Sequence, residues 1–126
     1  MGYHTISPTN IAPFDAPGRD FRSISGALDL EHLGLNHITA DPGEQIPMHY
    51  HAHETQEEAF YVIEGTLHVE TPDREYVVEA GSLFVVEPGN YHRGYNPDAA
   101  DESLEVLAVG APSGKDATVY ESESEE

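Results

Sequence analysis

Short apolar runs recur along the middle of the chain, each closed by Gly, Pro or Asp, and this pattern predicts strands. Residues 33–39 run into Asp41-Pro42-Gly43, 60–63 into Glu64-Gly65, and 67–70 into Thr71-Pro72-Asp73. Residues 76–78 precede Ala80-Gly81, 83–86 precede Pro88-Gly89, and 104–109 precede Gly110. Strands at this spacing, with turn chemistry between them, predict an all-β sandwich or barrel. No stretch holds the 3.6-residue period of an amphipathic helix convincingly, and no internal repeat of fixed period is present. Residues 1–25, with Pro8, Pro13, Pro17 and Gly18, read as an irregular N-terminal arm holding at most one short strand. The β-rich body is then 26–112, and 113–126 reads as a loose acidic tail ending in ESESEE.

Composition narrows the function classes. With 126 residues the chain is one domain's worth, large enough for a real core. It carries 24 acidic against 5 basic residues, a formal charge of −19. That balance argues against nucleic acid, whose phosphates must be met by basic side chains, and against an anionic membrane surface. No apolar run is long enough for a membrane helix, and MGYHTISPTNIAPF lacks the basic start and apolar segment of a secretory signal, so a cytoplasmic protein is expected. The carboxylates are spread along the body as well as the tail. Such a surface repels itself in dilute buffer and is screened in molar salt, which fits a protein adapted to a salt-loaded cytoplasm. With no cysteine, disulfides, thiolate metal sites and cysteine nucleophiles are excluded together.

The histidines carry the candidate chemistry. In MHYHAHETQEE, His49, His51 and His53 alternate, and in a strand alternate residues share a face, with roughly 7 Å per step. A triplet of imidazoles on one face, followed by Glu57-Glu58, is a ligand set suited to a first-row transition metal. Alternation puts Glu57 on the face opposite Glu58, while Phe60 and Val62 share the inward side with Glu58. Four other histidines, His4, His32, His37 and His68, share no spacing and read as surface or loop residues.

Two segments carry a family resemblance. PGEQIPMHYHAHETQEEAFYVIEG resembles the first cupin motif, in which a Gly, a His-x-His pair, a Glu and a second Gly stand in order; six residues separate Glu58 from Gly65, as that motif wants. GSLFVVEPGNYHRGYN resembles the second, with Gly81, Gly89, His92 and Asn96 in register and Pro88 one place late, where Glu87 takes the usual proline position. The resemblance implies an all-β cupin double-stranded β-helix, a jelly-roll-like barrel, with one divalent transition metal ion inside. Fe, Mn, Ni, Cu and Zn are not distinguished. Its ligands would be two His and one Glu of the first motif and one His of the second: His51, His53, Glu58 and His92. The register of the pair stays open. Counting from Gly43 gives His49 and His51, while counting back from Glu58 gives His51 and His53, which also keeps the ligand strand beside its hairpin. His49 and Glu57 are thus alternative ligands or groups just outside the ligand shell.

Tyr91, beside His92, is the leading candidate to touch a small-molecule ligand, with Gln56 and Arg93 behind it; Tyr50, Tyr61 and Tyr95 read as packing or rim residues. The resemblance implies a small-molecule oxidoreductase of the dioxygenase type. Two alternatives are a non-catalytic binding or sensing cupin, and a sugar or carbonyl isomerase with His49 or Tyr91 as base. A sugar phosphate would want several Arg or Lys around the cavity, and the motifs supply only Arg93. Cupins commonly pair as homodimers. The apolar residues of the arm, among them Ile6, Ile11, Phe14, Phe21 and Ile24, suit an arm laid on a partner's sheet edge.

Overall fold

The computed structural model describes residues 2–13, 19–46, 51–112 and 117–119. Among the described residues ten strands, β1 (Asp20–Ser23), β2 (Gly34–Ala40), β3 (His51–His53), β4 (Glu57–Glu64), β5 (Thr66–Glu70), β6 (Glu75–Glu79), β7 (Leu83–Val86), β8 (Arg93–Tyr95), β9 (Leu104–Ala111) and β10 (Ala117–Val119), accompany a 3-10 turn at Pro8–Asn10 and a five-residue helix, α1 (Ile24–Leu28). Each apolar run predicted above falls within one of these strands, except that the first begins at Leu33, one residue before β2. They form a five-stranded sheet in the order β1-β2-β9-β4-β7, a three-stranded sheet β6-β5-β8 and a pair β10-β3, all antiparallel. The predicted all-β double-stranded β-helix is the observed architecture.

Alternation along the strands separates the two faces. On β4, Phe60 and Val62 are buried while Glu57, Tyr61 and Ile63 are exposed. On β5, Leu67 and Val69 are buried, and on β9 Leu104, Val106 and Ala108. These inward residues join Ile38, Ala40, Ile46, Val78 and Val86 in one apolar core between the sheets, with Phe21, Tyr76 and Phe84 packed at its margin. Burial of side chains this size contributes about 1.5–3 kcal/mol each before the entropy of ordering is set against it.

Polar side chains lock the ends of the strands. Asn96, buried, donates from Nδ2 to the carbonyls of Ala40 and Glu102, both at 3.0 Å, fastening the end of β2 to the loop before β9. In the turn between β4 and β5, Gly65 has φ 83°, and a Cβ there would lie 2.5 Å from the Ser103 carbonyl oxygen. Glycine is therefore demanded twice, by backbone conformation and by space.

The end of the arm belongs to the barrel. β1 pairs with β2, Arg22 opposite His37, and forms an edge of the large sheet. Arg22 grips Asp20 with two nitrogens, at 2.8 and 3.1 Å, and donates to the carbonyls of Pro8 and Ile11 at 3.1 and 3.2 Å. The grip lowers the Asp20 pKa from its ordinary value. The arm's Pro8–Asn10 turn is thus fastened to its own barrel.

His37 and His68, expected on the surface or in loops, are strand residues on outer faces. His37 is half-buried and bonds Glu105 at 2.6 Å. His68 stacks beside Tyr95, ring centroids 5.7 Å apart. Among the described residues no helix is long and apolar enough to cross a membrane.

Candidate metal centre and ligand cavity

Three of the four expected ligands can be placed, and they meet at one oxygen. Glu58 opens β4 on the inward face, held between β7 and β9 through its register with Val86 and Gly110. Its Oε1 lies 3.1 Å from His92 Nε2 and 3.7 Å from His53 Nε2. All three side chains are largely withdrawn from water, at 16%, 2% and 9% exposure. His53 ends β3, and its carbonyl accepts from Gly89 N–H at 2.7 Å, tying the first motif to the second. His92 precedes β8 in a loop braced by Asn90, whose Nδ2 donates to the carbonyls of Glu87 and Pro88. His51 lies in β3, two residues from His53, and its side chain falls outside the description, as does all of His49. The choice between the two registers therefore rests on residues that are not described.

The donors fit a cation. His92 Nδ1 lies 3.0 Å from the Asn90 carbonyl oxygen, which only accepts, so Nδ1 carries a ring proton. In the neutral ring Nε2 then presents a lone pair to a carboxylate oxygen 3.1 Å away. Two electron-rich atoms at that distance need a positive charge between them, either a proton or a metal ion. A backbone carbonyl fixing the tautomer is also the usual outer support of a ligating histidine. Among the described residues, no three His, Asp or Glu side chains form a complete metal-holding group by themselves. The set needs a further donor, the place the motif gives to His51.

A cavity of about 480 Å³ opens beside this centre, between β6 and β7, the edges of the two sheets. His92 and Tyr91 line it, together with the inward-facing Tyr76 and Phe84, whose ring centroids lie 5.2 Å apart at 57°. Asp73 and Glu87 stand at its rim, both exposed. Tyr91, singled out for its place beside His92, is one of the residues that line the cavity. Tyr76 and Phe84 were not singled out; their alternation with Val78 and Val86 was the available signal.

The remaining candidates are elsewhere. Arg93 points away, paired with Glu70 at 2.8 Å and stacked 4.6 Å over the Tyr95 ring. Gln56 is buried and donates to the Pro112 carbonyl at 2.9 Å, closing the loop before β4. Glu57 is exposed on the outer face. Tyr95 donates to the Glu75 carboxylate, a bond that pushes its pKa up to about 12.

Comparison with known proteins agrees with the geometry. No curated protein matches the chain. Among solved structures, a protein from Acidithiobacillus ferrooxidans, described only provisionally as a sugar phosphate isomerase, is 30% identical over 78% of this chain, with TM-score 0.66. This chain spans 63% of that protein's length. A sugar phosphate isomerase of a cupin superfamily from Silicibacter pomeroyi superposes with TM-score 0.74 at 23% identity, over 87% of this chain and 76% of that one. The polyketide cyclase RemF from Streptomyces resistomycificus superposes with TM-score 0.76 at 21% identity, over 96% and 88%. The last two show the fold alone. Residues 36–110, more than half of the chain, match the family described as the cupin domain. With that match over more than half of its length, and with β4 of the first motif paired to β7 of the second in one antiparallel sheet, the chain belongs to the cupin family.

Proposed function

We propose that the protein is a metal-dependent oxidoreductase of the small-dioxygenase type, acting on a small organic molecule in the cavity beside His92. The observation that carries this is the meeting of His53, His92 and Glu58 at one oxygen, next to an aromatic-walled cavity. His51 is proposed as the fourth donor, with one divalent transition metal per chain. A metal held there would supply Lewis-acid chemistry to the bound molecule. The chain's own part is to orient and enclose. Asn90 holds the His92 ring, Glu58 offsets the charge of the ion, and Tyr76, Phe84 and Tyr91 exclude water and seat the substrate. The test is oxygen uptake by protein of measured metal content, offered a panel of diols and diketones. Metal-dependent uptake with at least one compound is expected; a metal-loaded protein inert to the whole panel would refute the reading.

A second reading, a sugar phosphate isomerase, is favoured by the names of the relatives from Acidithiobacillus ferrooxidans and Silicibacter pomeroyi. Against it stands the cavity, which no described Lys or Arg lines.

The charge supports a cytoplasmic protein working in concentrated salt. A homodimer is also proposed. With the arm fastened to its own chain, the surface that suits it is the outer face of β4 and β7, where Tyr61, Leu83 and Val85 are 40%, 57% and 63% exposed. Two chains of −19 repel in dilute buffer, and molar KCl shortens the screening length to about 3 Å. The melting temperature and the sedimentation coefficient should therefore both rise between dilute buffer and molar KCl. A flat or falling melting temperature overturns the salt reading, and a monomer at micromolar concentration in molar KCl overturns the dimer.

A further inference from the structure

We infer that the cavity selects an uncharged planar ring, an aromatic or enolised carbonyl compound, and rejects phosphorylated ligands. This inference rests on the proposed reading of the site and names its substrate class. Three features carry it.

The first is shape. About 480 Å³ suits a compact molecule, and Tyr76, Phe84 and Tyr91 give it flat walls. Aromatic faces reward a planar aromatic partner by offset or edge stacking. The second is the rim. Asp73 and Glu87 flank the opening, and among the described residues no Lys or Arg lines the cavity. Arg74, exposed in the turn before β6, lies with its guanidinium 4.4 Å over the Tyr76 ring. One guanidinium against two carboxylates leaves the mouth negative, on a chain already at −19. The third is the placement of Arg93, the cation nearest the motif histidine in sequence. Its pairing with Glu70 on the outer face leaves no fork of donors for a phosphate inside.

Repulsion between exposed groups is modest and fades with salt, so it sets a preference that is largest in dilute buffer. Stacking is not screened, so affinity for a neutral ring should persist in molar salt.

The probes are catechol, neutral and planar, and glucose 6-phosphate, with binding followed by calorimetry on protein of measured metal content and on chelated protein. In dilute buffer catechol should bind about tenfold or more tighter, the scale of a single 1.4 kcal/mol difference. Tyr76→Leu and Phe84→Leu keep apolar bulk while removing the ring faces, and each should weaken catechol about fivefold, the worth of one aromatic contact. Because both residues pack at the core margin, a second variant guards against misfolding. Asp73→Asn with Glu87→Gln changes only exposed rim groups, and should tighten glucose 6-phosphate several-fold in dilute buffer, a gain that fades in molar KCl. Glucose 6-phosphate binding as tightly as catechol, or rim and wall variants indistinguishable from wild type, would overturn the inference. Metal content separates the two proposals. A protein that takes up no metal when offered it, yet keeps the ring preference, would sink the metal reading alone, while a metal-loaded chain that prefers the phosphate would sink this one alone.

Discussion

Replacing His92 with alanine should reduce bound metal from about one ion per chain to nearly none. The imidazole is 2% exposed, its proton is fixed on Nδ1 by the Asn90 carbonyl, and its Nε2 faces the Glu58 oxygen at 3.1 Å. Metal content by elemental analysis, on protein purified without an affinity tag, reads the loss directly. Melting gives a second readout. An ion at a thousand times its dissociation constant stabilises the folded chain by about 4 kcal/mol, so wild type should melt higher with metal than with chelator. The His92→Ala variant should melt at the same temperature in both. His51→Ala and His53→Ala should behave like His92→Ala, and His49→Ala like wild type. Full occupancy in His92→Ala or His51→Ala would end the proposed ligand set, and the contrast between His49→Ala and His53→Ala decides the register.

Replacing Gly65 with alanine should cost more stability than any exposed substitution in the chain, on the order of 3 kcal/mol or more against a typical total of 5–15. Two penalties add at this site. A φ of 83° costs an L-residue about 1–2 kcal/mol. The new Cβ would also stand 2.5 Å from the Ser103 oxygen and 3.0 Å from the Leu104 Cα, both backbone atoms at the start of β9. Relief therefore means shifting a central strand. Gly81 supplies the control, since its φ is 89° but nothing lies within 4 Å of its Cβ. Gly81→Ala should show the conformational penalty alone, about 1 kcal/mol. Equal losses in urea unfolding of the two variants would show that the contact with β9 has no weight.

Much of this was legible in the sequence because alternation and turn chemistry are local. The runs around Phe60, Leu67, Val78, Val86 and Val106 each declare a strand with one buried face. The spacing of Glu58 and His92 from their glycines carried the family resemblance that made both candidates, and the structure brings the two side chains within 3.1 Å. Arg93 shows where proximity misled. It follows His92 directly, and in a strand the next residue faces the other way, so its neighbour's inward position sends it outward to Glu70. The aromatic walls were hidden for a different reason. Tyr76 and Phe84 sit on edge strands of different sheets, and their meeting depends on how the two sheets close, which no local period encodes. β8 was missed because Arg93–Tyr95 is short and carries a glycine at its centre. β1 was read only as a strand that the arm could hold, since its four residues all remain half-buried and show no clean alternation.

The position of β9 has a consequence for the growing chain. β9 lies between β2 and β4, and β2 touches no other strand of the large sheet except β1. Its partners in β2 are 64 to 76 positions earlier, from Ala40 opposite Leu104 to Gly34 opposite Gly110. Until residues 104–111 have left the ribosome, the large sheet exists only as two unconnected pairs, β1 with β2 and β4 with β7. Each pair shows its apolar face to solvent or to chaperones, and Glu58 lacks one of the two strands that hold it. Closure is then a non-local event, and loop-closure entropy must be met before any of those contacts forms. The barrel, and the meeting of His92 with Glu58 within it, are therefore completed late in synthesis, by a strand that carries none of the candidate ligands.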